Sequence, residues 1–423
     1  MNLLVALFLF VQEPETIRLN LEKAREMALR NNPEIALYRE EEGSARDRFF
    51  RSISSYLPQP VLSATYSDRD YTSFGESWAS MSKGYSIGFQ VEQTIFSADK
   101  ITSFVNAGLG LKGARENFES RKREFLLRVD GAYLDLLLAE KMLDARRKAL
   151  ERALKNEELI RQKFTLGAAD SLDLLNALVS SEQARLELER AIGQRKISER
   201  ELLTLLGLRR KYVLELEDLP QYDFPEEVPE PESLEVMCIR ERPDLLALRR
   251  NCTSSRVSFS SSLLSFLPDV KFGWYWNYYD EKLPHGAGGF FDEAERSSGY
   301  YASLYFSLLD YPFNLKSSRR EMRRASLSYR ERLLSALSEV EKARIDYLNS
   351  LKEYKLAILL KEKAERAMEL ARAQYEAGGI STIELFDAES RYNEALENFM
   401  SSYYRLFLAR EKLNYAVGKE VVR

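Results

Sequence analysis

His285 is the only histidine in the 423-residue chain, and it stands between Pro284 and Gly286. One imidazole without a neighbouring cysteine cannot build a usual zinc site, so it reads as part of a solvated loop. Cys238 and Cys252 fall in one predicted helix, where fourteen residues span ~21 Å, far beyond disulfide reach. Both read as small buried apolar side chains. Gly286-Ala287-Gly288-Gly289 precedes no helix that could cradle a phosphate, and the eight methionines form no copper-binding cluster. Carboxylates are plentiful, but they lie on charged helix faces rather than in a pocket. No catalytic, cofactor-binding or metal-binding set emerges, and the chain is not expected to be an enzyme.

The elements that carry these residues are more telling. Lys plus Arg number 62 and Asp plus Glu 66, a net charge of −4, which argues against a nucleic-acid partner. Charges of both signs alternate, as in Glu151-Arg152 and Lys361-Glu362-Lys363, and this suits solvated helices. Residues 3–11 form an apolar run too short to span a membrane but fit for the core of a secretory signal, placed at 1–12 with an uncertain boundary. No Lys or Arg precedes the run and no small-x-small site follows it. No cysteine sits near it, so a lipid anchor is not expected there. No later stretch is long and apolar enough for a spanning helix; any membrane crossing would use strands.

The chain is written twice. Asn32-Pro33-Glu34-Ile35 is answered by Arg242-Pro243-Asp244-Leu245, and Tyr56-Leu57-Pro58 by Phe266-Leu267-Pro268, both at an offset of 210 residues. FTLGAADSLDLLNA (164–177) matches YEAGGISTIELFDA (375–388) at 211, as Leu206-Gly207 matches Val417-Gly418. The first repeat covers 13–218 and the second 232–423. Between them a proline-rich acidic stretch, 219–231, has no helical or strand period and reads as an extended linker.

Each repeat has the order helix, strand, loop, strand, very long helix, break, long helix. In the first, a helix near 20–56 precedes strands at 60–67 and 85–96 and helices at 98–165 and 170–206. In the second, the equivalents are a helix near 232–266, strands at 269–279 and 300–309, and helices at 314–376 and 381–417. Heptad spacing runs through Leu333, Leu337, Val340, Tyr347, Leu351, Tyr354 and Ile358, with Arg344 interrupting. A helix of ~65 residues is ~100 Å long and must build an elongated object.

The strands alternate. Val270, Phe272, Trp274, Trp276 and Tyr278 interleave with Lys271, Gly273, Tyr275 and Asn277. Ile87, Phe89 and Val91 interleave with Ser86, Gly88, Gln90 and Glu92. A soluble sheet would need a cover for its aromatic face, and each repeat offers only charged helices. A membrane barrel with lipid outside and water inside is the sharper reading. Trp274, Trp276, Tyr278 and Tyr279 would then contribute to an interfacial aromatic girdle, and loops 68–84 and 280–298 would face outside. Four strands cannot close alone in lipid, so assembly is required.

The paired tip segments 164–177 and 375–388, with the two Pro-containing openings, resemble the outer membrane efflux protein (TolC-like) family across nearly the whole chain. The resemblance implies a mainly α fold with a transmembrane β-barrel. Tandem-duplicated long coiled-coil hairpins would form an α-barrel tunnel, and four β-strands per chain would close as a 12-stranded barrel in a homotrimer. It further implies a channel in the outer membrane of a Gram-negative-type bacterium, contacting outer-membrane lipid, with its tunnel in the periplasm. Its partners would be a periplasmic adaptor and an inner-membrane transporter, in efflux or type I secretion. The tips would dock those partners through Phe164, Leu166, Gly167 and Ala168 in one repeat and Tyr375, Gly378, Gly379 and Ile380 in the other. Asp173, Glu384 and Asp387 would ring the pore constriction; acids in the first turn of a helix also simply favour its dipole. Ile380 departs from the family, which often has an arginine there to tie the tip shut. A periplasmic adaptor and a structural coiled-coil protein are the alternatives. The first conflicts with the tandem duplication and both leave the alternating strands unexplained.

Overall fold

Two prolines break what reads as one opening helix in each repeat. A residue before proline is pushed out of the helical region, and Asn32 (φ −76°, ψ 127°) and Arg242 (φ −76°, ψ 117°) are both extended. The expected helix at 20–56 is therefore two, α1 (Leu21–Asn31) and α2 (Pro33–Ser54). That at 232–266 is α5 (Pro231–Glu241) and α6 (Pro243–Leu264). The computed structural model describes residues 15–68, 83–167, 169–208, 212–219, 222, 224–280, 296–306 and 309–422. The expected signal at 1–12, Ala168, His285 with its glycines, and most of loops 68–84 and 280–298 lie outside the described residues.

The remaining elements are strands β2 (Gln59–Asp68), β3 (Lys83–Phe96), β5 (Asp269–Asp280) and β6 (Arg296–Tyr305), and helices α3 (Ala98–Thr165), α4 (Ser171–Leu205), α7 (Tyr311–Glu376) and α8 (Thr382–Val417). Two further strands, β1 (Glu15–Leu19) and β4 (Tyr212–Leu216), were not foreseen. They pair in parallel, Glu15 opposite Tyr212 through Leu19 opposite Leu216. Five residues are too few for a reliable period, and the pairing joins segments almost 200 residues apart. No helix among the described residues is long and apolar enough to cross a membrane.

The chain divides into two compact units, each built from both repeats. Unit 1 comprises Met1–Arg39, Phe118–Pro243 and Leu333–Arg423; unit 2 comprises Glu40–Asn117 and Asp244–Arg332.

In unit 1 the core gathers Phe125, Tyr133 and Leu136 of α3 with Leu202 of α4, Leu406 and Phe407 of α8, and Leu19 of β1, all fully buried. The Tyr133 hydroxyl donates to the Glu217 carbonyl at 2.7 Å, and burial pushes its pKa up to about 12. Polar links run from helix to helix in a fixed order. Arg195 of α4 pairs with Glu140 of α3 at 3.0 Å, and Arg146 of α3 with Glu397 of α8 at 2.7 Å. Arg405 of α8 pairs with Glu353 of α7 at 3.5 Å. The order α4–α3–α8–α7 leaves α4 and α7 outermost.

Up to Pro231, where α5 begins, the described linker residues have no regular structure, and they pack onto α7 and α8. Phe224 contacts Tyr354 and Tyr403 edge-on, and the Pro225 carbonyl accepts from the Tyr347 hydroxyl at 2.9 Å. Arg344, the interruption in the heptad, donates to the Pro229 carbonyl at 3.3 Å. A position that reads as a flaw in a coiled coil is an anchor for the linker.

Each repeat closes on itself through the same contact. Gly207 (φ +68°) ends α4 against Asn31, and a Cβ there would lie 2.7 Å from the Asn31 carbonyl oxygen. Gly418 (φ +82°) ends α8 against Arg242, where a Cβ would lie 2.8 Å from its Cα. The residue before proline completes each contact: Asn32 donates to the Leu205 carbonyl at 2.8 Å and Arg242 to the Ala416 carbonyl at 3.2 Å. Gly167 and Gly378 share the left-handed conformation, but nothing stands within 4 Å of a Cβ. Gly207→Ala and Gly418→Ala should each cost roughly 2–3 kcal/mol, from backbone strain plus crowding, and Gly167→Ala only about 1 kcal/mol. Thermal unfolding followed by circular dichroism in detergent checks the ranking; equal losses at all three positions would contradict the crowding.

Candidate functional site

Unit 2 contains a four-stranded antiparallel sheet in the order β2-β3-β5-β6. Trp274 lies opposite Val91 and Tyr300, Trp276 opposite Phe89, and Leu62 opposite Phe89 on the other side. Residues directly opposite share a face, so these positions form one continuous apolar surface. Tyr278, opposite Ile87, belongs to it, but Tyr279 pairs with Ser86 and stands on the other face. Of the four residues expected in an aromatic girdle, Trp274, Trp276 and Tyr278 are together and Tyr279 is not, because side chains alternate along a strand.

The opposite face is polar and cross-linked. Lys271 pairs with Glu92 at 2.9 Å, the Tyr301 hydroxyl donates to the same carboxylate at 3.2 Å, and Gln90 donates to Tyr301. Tyr301 lies over Gly273, where any side chain would collide with its ring. Alternation marks these residues as polar-facing, but only the register between strands brings them together. The outer strands β2 and β6 have no strand partner on their far sides among the described residues.

The helix tips lie in unit 1. Both reversals use the same turn, Gly167 N–H donating to the Phe164 carbonyl and Gly378 N–H to the Tyr375 carbonyl, each at 3.0 Å. Leu166 and Phe164 are exposed, as are Gly378 and Gly379, and Ile380 is half-buried. The two tips meet where the Lys163 ammonium sits over the Tyr375 ring, 4.4 Å from its centre. Behind them α3, α4 and α8 leave a groove of about 470 Å³, with Arg146, Val179 and Phe386 in its walls.

The three acids expected at a constriction have local partners. Asp173 and Glu384 are each the third residue of a helix and complete capping boxes with Asp170 and Ser381. Glu384 accepts from the Ser381 N–H at 2.8 Å and from its hydroxyl at 2.9 Å. Asp387 is exposed and pairs with Arg391 at 2.8 Å. The spacings Asp170-x-x-Asp173 and Ser381-x-x-Glu384 are legible capping signals. Among the described residues no group of three or more His, Cys, Asp or Glu could hold a metal ion.

The Ser381 donors hold the Glu384 carboxyl below its ordinary value. Its cap is therefore fully present above the ordinary carboxylate pKa and is lost as pH falls through the lowered one. Ser381→Ala should cost about 1 kcal/mol at the start of α8 and speed hydrogen exchange of the first-turn amides about fivefold. Unchanged exchange would show that the box contributes nothing.

The family model for outer membrane efflux proteins matches residues 24–208 and 237–419, on either side of the linker. Over 321 residues the chain is 25% identical to outer membrane protein OprJ of Pseudomonas aeruginosa, covering 73% of this chain and 64% of OprJ, just under two thirds of that relative. It is 20% identical over 415 residues to outer membrane protein TolC of Vibrio cholerae, covering 94% of this chain and 90% of that protein. The crystal structure of the Campylobacter jejuni CmeC outer membrane channel has the same fold, with a TM-score of 0.81 over 95% of this chain and 86% of that one at 17% identity. The chain belongs to the outer membrane efflux protein family, and with it to the outer membrane.

Proposed function

We propose that three copies of this chain form a passive exit duct for an efflux pump or type I secretion system, which conducts cargo handed over by an inner-membrane transporter and its periplasmic adaptor. The observation that carries this reading is the sheet: four strands with one aromatic face and, among the described residues, two unpaired edges. In hydrocarbon every backbone polar group needs a partner, so β2 of one copy pairs with β6 of the next. Twelve strands from three copies make a hollow barrel with the Glu92–Lys271–Tyr301 face towards water.

The helices support the same assembly. Leu172, Leu175, Val179 and Leu186 of α4 are exposed in the single chain, as are Leu356, Leu360 and Leu370 of α7. These are the two outermost helices in unit 1, and joining α4 to α7 of a neighbour covers both sets. The turns at Gly167 and Gly378, with Leu166 and Phe164 exposed beside them, form the docking surface for the adaptor and transporter. Asp173, Glu384 and Asp387, three copies each, line the constriction, their charges retained while two of them also cap helices.

Detergent-solubilised protein should have a mass near three times the 49.0 kDa of the chain and give discrete, cation-favouring steps in a planar bilayer. A detergent-independent monomer without conductance would overturn the duct and favour an adaptor or scaffold. Glu384→Gln with Asp387→Asn should lower cation selectivity severalfold at unchanged trimer mass, since glutamine can still accept the cap hydrogen bonds. Unchanged reversal potentials would remove these acids from the pore.

A further inference from the structure

Four helices of unit 2 adjoin the sheet, and each presents the same order of side chains along one exposed face. On α2 and the turn after it, Leu57, Ile53 and Phe50 are exposed at the sheet end, with exposed Arg46 beyond them. On α3 the order is Ile101, Val105, then Lys112. On α6 and the turn after it the order is Leu267 and Leu263, then Arg256. On α7 and its preceding turn it is Leu309 and Phe313, then Lys316 and Arg320. Within each set the spacings follow the helical repeat, so the residues share one stripe.

Other exposed cations of the chain have ion-pair partners: Lys155, Arg161 and Arg190 pair with Glu151, Glu157 and Glu187 in unit 1, and Arg115 pairs with Glu42 in unit 2. Arg46, Lys112, Arg256, Lys316 and Arg320 have no ion-pair partner among the described residues. Their surroundings are basic as well. Between 46 and 51 three arginines face one acid, Asp47, and between 316 and 324 five cations face only Glu321.

The spacing has a physical match. From the innermost apolar residue to its cation is four residues on α2 and seven on α3, α6 and α7 (to Arg320), or ~6–10 Å at 1.5 Å per residue. A bilayer of ~40–45 Å with a ~30 Å hydrocarbon core leaves a headgroup layer of roughly 5–8 Å on each side. Long basic side chains keep their stems in the apolar layer and their charge at the headgroups. An apolar ring continuous with the strands, followed at headgroup depth by unpaired cations, fits an anionic lipid surface.

We propose that these four stripes form a collar that seats the channel on the inner leaflet of the outer membrane, and that its cations bind anionic phospholipid headgroups. This rests on the sheet closing as a barrel in that membrane. The test reconstitutes the full chain into vesicles of equal phosphatidylglycerol and phosphatidylcholine, then measures the ratio of the two lipids that remain with the extracted protein. The variant combines Arg46→Gln, Lys112→Gln, Arg256→Gln and Arg320→Gln. The control combines Lys148→Gln with Lys363→Gln, both exposed in unit 1 and without an ion-pair partner among the described residues.

About fivefold enrichment of phosphatidylglycerol is expected for the wild type and control, corresponding to about 1 kcal/mol per cation near an anionic surface, with near-equal lipid in the collar variant. Insertion without enrichment, or equal enrichment in the variant, overturns the collar and leaves the channel standing. A shifted reversal potential with unchanged enrichment overturns it by placing the cations on the channel wall. Loss of binding to isolated cell-wall polymer, again with unchanged enrichment, overturns it in favour of that partner. Failure to insert at all overturns the channel reading and the collar with it.

Discussion

Both repeats depend on a close contact between a left-handed glycine and the elbow before a proline. Proline forbids the helical conformation to Asn32 and Arg242, which frees their side chains to reach the last carbonyls of α4 and α8. Glycine lets those helices end in a conformation other residues resist, close enough that no Cβ fits between the backbones. The unsatisfied C-terminal carbonyls of a long helix are thus met by the opening of the same repeat. Arg242 is the more demanding case, since a buried guanidinium needs the Glu339 carboxylate as well.

With each repeat closed in this way, unit 1 and unit 2 share a feature that neither resolves alone. The sheet runs β2-β3-β5-β6 and the polar links between long helices run α4–α3–α8–α7; each series has two open sides. In the sheet the open sides are backbone edges, which hydrocarbon does not tolerate. Among the helices they are exposed leucines, which water tolerates poorly. The ring of identical copies proposed above would answer both demands, since a repeating head-to-tail contact closes when its rotation permits.

Charge is spent differently along the chain. In unit 1 opposite charges pair within and between helices, and each exposed pair contributes little alone while keeping the helices soluble and in order. At the tips the carboxylates of Asp173 and Glu384 satisfy helix starts that have no neighbouring repeat to cap them. Around the sheet-adjacent ends of unit 2, Arg46, Lys112, Arg256, Lys316 and Arg320 have no ion-pair partner among the described residues, and there apolar residues are exposed too.

Much of this was legible in the residues. The duplication follows from matched motifs at nearly constant offset, the long helices from long stretches without an interior proline, and the strands from strict alternation. Those signals are local, so a linear reading captures them. Alternation also suffices to put Tyr279 on the polar face, against its expected place beside Trp276; residue type was a weaker guide there than period. The capping spacings at 170–173 and 381–384 were equally readable. What the tertiary structure alone decided are contacts between residues far apart in the chain. Arg18 meets Glu215 across 197 residues when β1 pairs with β4, Lys271 meets Glu92 through strand register, and Arg344 leaves a heptad to hold the linker. Periodicity states which face a residue occupies but not what lies opposite, because the partner is chosen by the packing of whole elements.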